Sequence, residues 1–459
     1  MILVALFWFV QFTDKLGSAP IQFSERATEN RLLWSIPTDS LDYAVVPTYM
    51  EGVRATGARV CHVSRWMNGC TIEADSSQMH AIAALPYVRA VEQTRNNTPP
   101  AASAAPHKTQ RDSDPQQNLY NLHPLHQLGY EGQGIRIAVI DVGFYKVNTA
   151  PCFDYVRERL IGTYDTSDDR TSVYGDPQGQ HGANCLSFIA AHTDNYHGAA
   201  TEAEYVLIRS EEMSTESPKE TDNLVAALEI CDSLGVNIVS CSLGYRLFDD
   251  PAFDLTYQDL DGRTTRVSRA AAIAARKGIL CCFSVGNDGD KAWHRISVPA
   301  DADSILTIGA AQADSTMGVF SSFGPSADGR VKPEVCAMGV NAAYVNTSTN
   351  KVSYGNGTSY STPLLAGLAA CLWSAMPNAP AQEIRQRIIQ SAHRYPDYDP
   401  KGQGGYGIPN ALKAYENIPS DTERTFSPQP QHGVYKVLQR GSIHIIHNNR
   451  AFNLLGQRL

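Results

Sequence analysis

A serine precedes an apolar helix pattern in the stretch Gly355-Asn356-Gly357-Thr358-Ser359-Tyr360-Ser361-Thr362-Pro363. The two glycines predict a turn, and the apolar run from Leu364 to Trp373 predicts a helix directly after it. The first turn of a helix carries unpaired backbone N–H groups and the positive end of the helix dipole, so negative charge beside Ser359 is stabilised there. The segment therefore predicts a nucleophilic serine, although an ordinary N-cap before a core helix has the same pattern.

Two further segments supply an acid and a base. The run Gly134-Ile135-Arg136-Ile137-Ala138-Val139-Ile140-Asp141 is typical of a buried parallel strand, and it ends in a carboxylate. In Gly179-Gln180-His181-Gly182, a histidine precedes small and apolar residues that predict a helix. An alcohol needs a base to take its proton, and an imidazole held by a carboxylate is such a base. Asp141, His181 and a serine nucleophile together predict acyl-transfer chemistry.

The chain order Asp, His, Ser is that of the subtilisin-like serine proteases, and the chain resembles this family from about Leu119 to Tyr415. The resemblance implies serine endopeptidase activity through an acyl-enzyme intermediate. It implies that Ser359 attacks the peptide carbonyl, that His181 is the general base and that Asp141 orients His181.

Other residues of the reaction are implied by similarity to two strands of the family. The segment Gly278 to Asn287 is similar to the strand that delivers an oxyanion-hole asparagine, so Asn287 and the Ser359 backbone N–H are expected to form that hole. An Asn after Gly is otherwise usually a turn residue. The resemblance assigns peptide pairing to Ser242, Leu243 and Gly244, and it assigns the opposite wall of the primary specificity pocket to Ser284, Val285 and Gly286.

Three positions near these motifs depart from the family pattern. Val142 and Ala183 stand where threonine is commonest, and Tyr360 replaces a methionine beside the nucleophile. None of these changes removes a reacting group. Two alternatives stay open at this point: a catalytically silent binding or scaffold protein on the same fold, and an esterase that uses the same three groups.

Helix and strand patterns alternate from Leu119 onward. The helical pattern from Thr221 to Leu234 leads into the strand pattern Val236 to Ser240, and Ser268 to Lys277 leads into Ile279 to Ser284 in the same way. This succession predicts an α/β fold with a doubly wound, mostly parallel sheet and helices on both faces. Functional sites in such sheets gather at the carboxyl ends of the strands.

The rest of the chain divides into shorter regions. Residues 1–95 predict a small α+β module that resembles the inhibitory prodomain of such proteases. Residues 96–117 are rich in Pro, Ala, Asn and Ser, so an exposed linker with a processing site is expected before a catalytic domain at 118–418. Residues 419–459 predict a linker and a short β-rich tail, with apolar runs at Val434–Leu438, Ile443–Ile446 and Phe452–Leu455.

Composition limits the partners of this 459-residue chain. A net charge of −9 and the lack of any basic run argue against nucleic acid, and no stretch is long enough for a membrane span. Protein or peptide substrates are expected, together with the prodomain as an intramolecular inhibitor. The resemblance implies a secreted or cell-envelope location. Met1 to Val10 is apolar, but it lacks a basic residue and a clear cleavage site, so a signal peptide stays an open question.

The predicted chemistry requires no cofactor. The sequence has no His-Glu-x-x-His pattern for a metal. Structural calcium is common in the resembling family, and no loop identifies a site for it. The ten cysteines are expected to be packed free thiols, with Cys185 on the core side of the helix that carries His181. His192 and His197 flank a turn and are expected to be solvated.

Overall fold

The computed structural model describes residues 6–94, 112–167, 172–212, 216–398 and 402–416, and three strands between 434 and 452. The chain forms two compact units, Met1–Glu416 and Asn417–Leu459. No helix among the described residues is both long and apolar enough to cross a membrane.

The N-terminal module is a four-stranded antiparallel sheet with three helices. Its elements are β1 (Leu6–Phe12), α1 (Glu25–Leu33), α2 (Pro47–Ala55), β2 (Arg59–Ser64), β3 (Gly69–Ala74), α3 (Ser76–Ala83) and β4 (Val88–Gln93). The strand order is β2-β3-β1-β4, and the sheet buries Val10, Phe12 and Ile72 against the helices. The predicted α+β module is confirmed.

The following region is built on a seven-stranded parallel sheet of order β13-β12-β11-β10-β5-β9-β6. Its strands are β5 (Arg136–Asp141), β6 (Leu160–Asp165), β9 (Glu204–Arg209), β10 (Ile238–Cys241), β11 (Leu280–Ser284), β12 (Leu306–Ala311) and β13 (Val335–Met338). Two antiparallel hairpins lie beside it: β7 (His192–Thr193) with β8 (Tyr196–His197), and β14 (Ala342–Asn346) with β15 (Lys351–Gly355).

Helices cover both faces of this sheet. They are α4 (Asp114–Leu119), α5 (His123–Gln127), α6 (Asp154–Glu158), α7 (Gln180–Ala190), α8 (Pro218–Leu234), α9 (Arg266–Arg276), α10 (Thr358–Ser374), α11 (Ala381–Ser391) and α12 (Ala411–Glu416). Leu280 and Cys282 pack on the side of α7 and α10, whereas Cys281 and Phe283 pack on the side of α8 and α9. This alternation gives the sheet two buried faces, so the predicted doubly wound α/β fold is confirmed.

The limits of α8 follow from its sequence. Pro218 occupies the first turn, where its missing N–H costs no helical hydrogen bond, and Glu220 accepts a hydrogen bond from the Ser217 backbone N–H at 2.7 Å. Gly235 ends the helix with a positive φ of 69°, which a glycine adopts without steric cost. The chain then turns directly into β10.

The C-terminal unit contains a three-stranded antiparallel sheet of β16 (Val434–Gln439), β17 (Ser442–His447) and β18 (Arg450–Phe452). Three strands were expected here. The third begins earlier than its apolar run indicates, because Arg450 pairs with His447. The rest of that run lies outside the described residues.

All ten cysteines lie outside disulfides and nine are buried, as expected. His192 and His197 are both half-buried, so they are less solvated than expected. Pairing of β7 with β8 places their Nδ1 atoms 3.0 Å apart, and His197 Nε2 lies 3.1 Å from Glu131 Oε2. This hydrogen bond from His197 lowers the pKa of Glu131 to about 2.

Candidate active site

Three neighbouring strands end at one edge of the parallel sheet. Asp141 is the last residue of β5, Ser242 directly follows β10, and Asn287 lies just beyond β11. Parallel strands have their carboxyl ends at the same edge, so the fold brings these residues together. We call this edge the carboxyl edge, and the opposite one the amino edge.

Asp141 and His181 are in direct contact. His181 Nδ1 lies 2.7 Å from Asp141 Oδ1, and the Asp141 side chain is fully buried while the His181 side chain is 36% exposed. The glycine after His181 permits this approach, since a Cβ on Gly182 would lie 2.2 Å from the Gly143 carbonyl oxygen. Asp141 Oδ2 has no hydrogen-bond partner within the described ranges, and the neighbouring Val142 offers no hydroxyl.

Opposing effects set the protonation of His181. Burial lowers its pKa, and the buried Asp141 carboxylate raises it by more, so the net pKa lies well above the usual value for histidine. Burial raises the pKa of Cys185, which keeps that thiol neutral. The carboxylate therefore holds a proton at Nδ1 and raises the proton affinity of Nε2.

Ser359 lies in the first turn of α10, and its side chain is half-buried. Its hydroxyl donates to the Ser242 carbonyl oxygen at 3.3 Å, and within the described part of the chain it forms no hydrogen bond with His181. The two residues are nevertheless neighbours. Cys185 Sγ lies 3.8 Å from His181 Nδ1 and 3.4 Å from the Ser359 carbonyl oxygen, and the Tyr360 ring stacks beside the imidazole at 6.4 Å.

A proline explains the environment of the Ser359 carbonyl. Pro363 lies four residues further along α10 and has no N–H with which to close the helical hydrogen bond. The Ser359 carbonyl instead accepts from the Ser242 hydroxyl at 2.9 Å and from the Cys185 thiol. Cys185 is buried as expected, but it also contacts the candidate site, which the sequence did not predict.

The carboxamide of Asn287 has a fixed orientation. Its Oδ1 accepts hydrogen bonds from the Thr358 backbone N–H at 2.9 Å and from the Thr358 hydroxyl at 3.0 Å. Because the oxygen is occupied, the Nδ2 group is the end available as a donor, and the side chain is exposed beside the start of α10. This orientation suits an oxyanion hole.

The six predicted substrate-binding residues lie at the carboxyl ends of two paired strands, β10 and β11. After β10, Ser242 is buried, Leu243 is half-buried and Gly244 is exposed. At the end of β11, Ser284 and Val285 are buried and Gly286 is half-buried. The side chain of Val285 is fully enclosed, so only its backbone is near the surface.

Ser297 was not among the predicted site residues, and its hydroxyl lies close to both Gly244 and Gly286. A Cβ on Gly244 would be 2.3 Å from Ser297 Oγ, and a Cβ on Gly286 would be 3.3 Å from it. The hydroxyl is buried and has no hydrogen-bond partner in the described structure. The position of Ser297 depends on the antiparallel pairing of Tyr245 with Val298, and no local sequence pattern indicates this contact.

Two groups of side chains have ligand atoms close enough for a metal ion within the described ranges. One is Asp141, His181 and Cys185, which overlaps the acid–base pair. The other is Glu211, Glu216 and Glu220. Glu220 already accepts from the backbone N–H groups of Ser217 and Glu212. Neither group identifies a calcium site, so structural calcium stays a prediction.

Comparison with known proteins decides the family. Residues 132–411 match the profile of the subtilase family, which covers more than half of the chain. The chain belongs to the subtilase family. Residues 7–112 match the peptidase S8 propeptide domain of Bacteroidota, so this subtilase carries a propeptide domain.

Curated relatives and solved structures agree with this assignment. The chain is 27% identical to serine protease AprX of Bacillus subtilis over 63% of its own length and 67% of that protein. It is 26% identical to subtilisin DY of Bacillus licheniformis over 60% of its length and 90% of that protein. The prenylagaramide maturation protease PagA is similar in fold, with a TM-score of 0.50 and 22% identity over 64% of this chain and 98% of that one. The subtilase described here is a serine-type endopeptidase, as its sequence predicted.

Proposed function

We propose that Asp141, His181 and Ser359 are the catalytic triad of this endopeptidase and that Asn287 donates to the oxyanion. The observation that carries the proposal is the 2.7 Å contact between His181 Nδ1 and Asp141 Oδ1, formed at the sheet edge where the helix of Ser359 begins. The buried carboxylate holds the imidazole with its Nδ1 protonated, which leaves Nε2 to act as the base.

The reaction then uses each group at a stated atom. The Ser359 hydroxyl turns from the Ser242 carbonyl towards His181 Nε2, gives up its proton and attacks the scissile carbonyl. The new oxyanion accepts hydrogen bonds from Asn287 Nδ2 and the Ser359 backbone N–H. His181 returns the proton to the leaving amine. Water then takes the place of the amine: His181 accepts its proton, water attacks the acyl carbonyl, and Ser359 leaves with its proton restored.

The substrate is an extended peptide that lies between the two strand ends. The backbone of Ser242, Leu243 and Gly244 pairs with it on one side, which gives affinity with little demand on sequence. Ser284, Val285 and Gly286 form the other wall, and Ser297 closes the floor of the pocket between them. A floor this near to both glycines favours a short substrate side chain.

The proposal includes maturation by cleavage after the propeptide domain. Thr94 is buried, and its carbonyl oxygen accepts from the Lys219 backbone N–H at 2.9 Å, so the domain ends at the first turn of α8. The predicted processing region is the linker at 96–117, and its residues up to 111 lie outside the described structure. Its last residues are not an exposed linker as expected, because α4 begins at Asp114 and buries Gln116 and Gln117, so the cut is expected before Asp112. A secreted or cell-envelope location completes the proposal.

A fluorophosphonate probe tests the triad, because it reacts only with an activated serine. Processed protein is expected to be labelled, and Ser359→Ala is expected to lose the label. Ser361→Ala is the matched control, since it removes a buried serine two residues along the same helix. Labelling that survives Ser359→Ala, or processed protein without any label, would contradict the proposal. Parallel assays with peptide amides and with esters separate an endopeptidase from an esterase.

A further inference from the structure

One face of α7 packs against the first turn of α10. His181, Cys185 and Phe188 lie on this face, because they follow one another along α7 at spacings of four and three residues. Cys185 contacts the Ser359 carbonyl, and the rings of His181 and Phe188 both contact the ring of Tyr360. The residue after the candidate nucleophile therefore contacts the helix of the candidate base at two points, about two turns apart.

The ring of Tyr360 fills the space between α7 and β14. Its centroid lies 5.1 Å from the ring of Phe188 in α7 and 5.4 Å from the ring of Tyr344 in β14. The His181 imidazole lies 6.4 Å away, with the two ring planes inclined by 25°. Separations of about 4.5–7 Å are typical of attractive aromatic pairs. A Cβ on Gly355 would lie 2.5 Å from Tyr360 Cε2, so only a glycine there leaves room for the ring.

The support behind this ring is firmly held. Tyr344 is 5% exposed, and the backbone groups of both its neighbours are bonded by side chains. The Gln116 carboxamide accepts from the Ala343 N–H at 2.9 Å and donates to the Ala343 carbonyl at 3.1 Å. The Val345 N–H donates to Ser187 Oγ of α7 at 3.1 Å. Tyr344 can therefore move back only if these hydrogen bonds break.

The hydroxyl of Tyr360 joins the same ring to α7. The Asn184 side chain is hydrogen-bonded to it, and Asn184 Oδ1 accepts from Gln180 Nε2 at 2.8 Å. Burial raises the pKa of Tyr360 to about 12, so the phenol is neutral over the whole range in which a histidine titrates. The ring keeps the same charge throughout the pH range of the reaction.

The spacing of α7 and α10 decides whether a proton can pass between them. The Ser359 hydroxyl rests on the Ser242 carbonyl at 3.3 Å, and in the described part of the chain no hydrogen bond joins it to His181. Proton transfer requires about 2.6–3.2 Å between the oxygen and the nitrogen. A misplacement of about 1 Å can lower a rate by about 10²-fold. The packing around the two side chains therefore controls their reaction.

We propose that Tyr360 is a positioning residue for the triad. Its ring, wedged between Phe188 and Tyr344, sets the spacing of α7 from α10. The imidazole of His181 is thereby kept within reach of the Ser359 hydroxyl. The proposal rests on the proposed function, because it concerns the geometry of the same three groups. Tyr360 acts through His181 and takes no part in bond making.

The first test is the rate at which processed enzyme reacts with a fluorophosphonate probe, which needs an activated serine but not the peptide-binding wall. Tyr360→Leu removes the ring and is expected to lower this rate and kcat by about 10²-fold. Its KM is expected to stay near the parent value, because the wall from Ser242 to Gly244 is unchanged. Tyr360→Phe keeps the ring and is expected to react almost as fast as the parent.

The pH dependence separates positioning from a general loss of structure. Burial lowers the pKa of His181 and Asp141 raises it by more, and both effects weaken when water reaches the imidazole. In Tyr360→Leu the midpoint of the activity profile is therefore expected to move to lower pH, towards the usual histidine value. In Tyr360→Phe the midpoint is expected to stay at the parent value.

Tyr130→Leu is the matched control. Tyr130 is half-buried against the same hydrophobic core, and its ring pairs with that of Tyr415 at 5.8 Å, outside the elements of the candidate site. This variant is expected to have a lower thermal midpoint, with the parent rate and the parent pH midpoint. Tyr344→Leu removes the support behind Tyr360, and it is expected to show a smaller loss of rate even if Tyr360→Leu folds poorly.

The parent rate and the parent pH midpoint in both Tyr360→Leu and Tyr344→Leu would overturn the proposal, as would an equal loss of rate in Tyr130→Leu. A parent enzyme that does not react with the probe would instead contradict the triad. The ring contact is then tested by NMR titration of the His181 imidazole in Ser359→Ala. Addition of Tyr360→Leu is expected to lower that titration midpoint, and an unchanged midpoint would overturn the positioning role.

Discussion

The two edges of the parallel sheet differ in the exposure and the pairing of their polar groups. At the carboxyl edge, His181 is 36% exposed, Asn287 offers a free amide donor, and the Ser297 hydroxyl has no hydrogen-bond partner in the described structure. At the amino edge, Arg31 and its charged partners are enclosed and paired on every side. The carboxyl edge therefore leaves His181 and Asn287 exposed, whereas the cluster around Arg31 pairs its charges inside the protein, although Arg26 Nε and Trp34 Nε1 nearby have no hydrogen-bond partner in the described structure.

This contrast predicts which property, turnover or stability, a substitution at each edge changes. Changes at the carboxyl edge are expected to reduce turnover with little effect on stability. Changes at the amino edge are expected to reduce the stability of the precursor and leave the turnover of mature enzyme unchanged. A variant that strongly lowered both the turnover of the mature enzyme and the stability of the precursor would contradict this division.

The largest effect is expected for Asp141→Asn. It keeps the shape of the side chain but removes the charge that fixes the His181 tautomer, so kcat/KM is expected to fall by about 10⁴-fold. The measurement is steady-state hydrolysis of a peptide substrate by processed enzyme.

The pH dependence checks the same contact. His181 is a base only when neutral, and Asp141 raises its pKa, so the activity of the parent is expected to rise with pH through a midpoint above the usual histidine value. In Asp141→Asn this midpoint is expected to move to lower pH. An unchanged midpoint would show that the carboxylate does not control the imidazole.

Asp232→Ala is expected to have the next largest effect, and on stability alone. Asp232 is 3% exposed and pairs with Arg31 and Arg65 of the propeptide domain, so its loss leaves two buried cations short of a partner. The free energy of unfolding of the precursor is expected to fall by about 3–5 kcal/mol in denaturant titrations. Asp303→Ala, at an exposed acid, is the control, and mature Asp232→Ala enzyme is expected to retain the parent kcat/KM.

Asn287→Ala is expected to lower kcat by about 10²–10³-fold, a magnitude known from this family for the loss of one oxyanion donor. A modest fall in its thermal midpoint is expected as well, because the buried Thr358 N–H and hydroxyl lose their acceptor. Thr358→Val is a graded control: it keeps the backbone donor to Asn287 Oδ1 and removes the hydroxyl donor, so a smaller loss is expected. Intact turnover in Asn287→Ala would contradict the oxyanion assignment.

The smallest effect is expected at the pocket floor. Ser297→Gly removes the hydroxyl that lies between Gly244 and Gly286, so kcat/KM for a substrate side chain longer by one or two carbons is expected to rise by about tenfold. Ser297→Thr is expected to change the preference in the opposite direction. Profiling with a peptide library measures both, and identical profiles would exclude Ser297 as the floor.

The sequence predicted the parts of the molecule that local pattern controls. Apolar runs ending in Asp141 and near Asn287 indicated strands, and parallel pairing brings their ends to one edge without further information. The family resemblance then supplied roles for residues that the fold places together. Helix and strand positions agreed because capping and termination signals, such as Pro218 and Gly235, act within a few residues.

The rest depended on contacts between distant parts of the chain. Arg31 meets Asp232 across 201 residues, and nothing in either segment indicates the other. Ser297 lies beside Gly244 and Gly286 because Val298 pairs with Tyr245, and His192 is half-buried because β7 pairs with β8. Such contacts are set by the packed fold, so composition and periodicity do not specify them.

The hydrogen bond from Ser359 to the Ser242 carbonyl has a consequence for timing. An uncrowded serine hydroxyl changes rotamer within picoseconds to nanoseconds, far faster than any enzyme turns over. The resting orientation of the hydroxyl therefore imposes no delay of its own. If Asp141, His181 and Ser359 form the triad as proposed, inhibition of the precursor is expected to come from obstruction of the site by the propeptide domain, and not from the resting orientation of this hydroxyl.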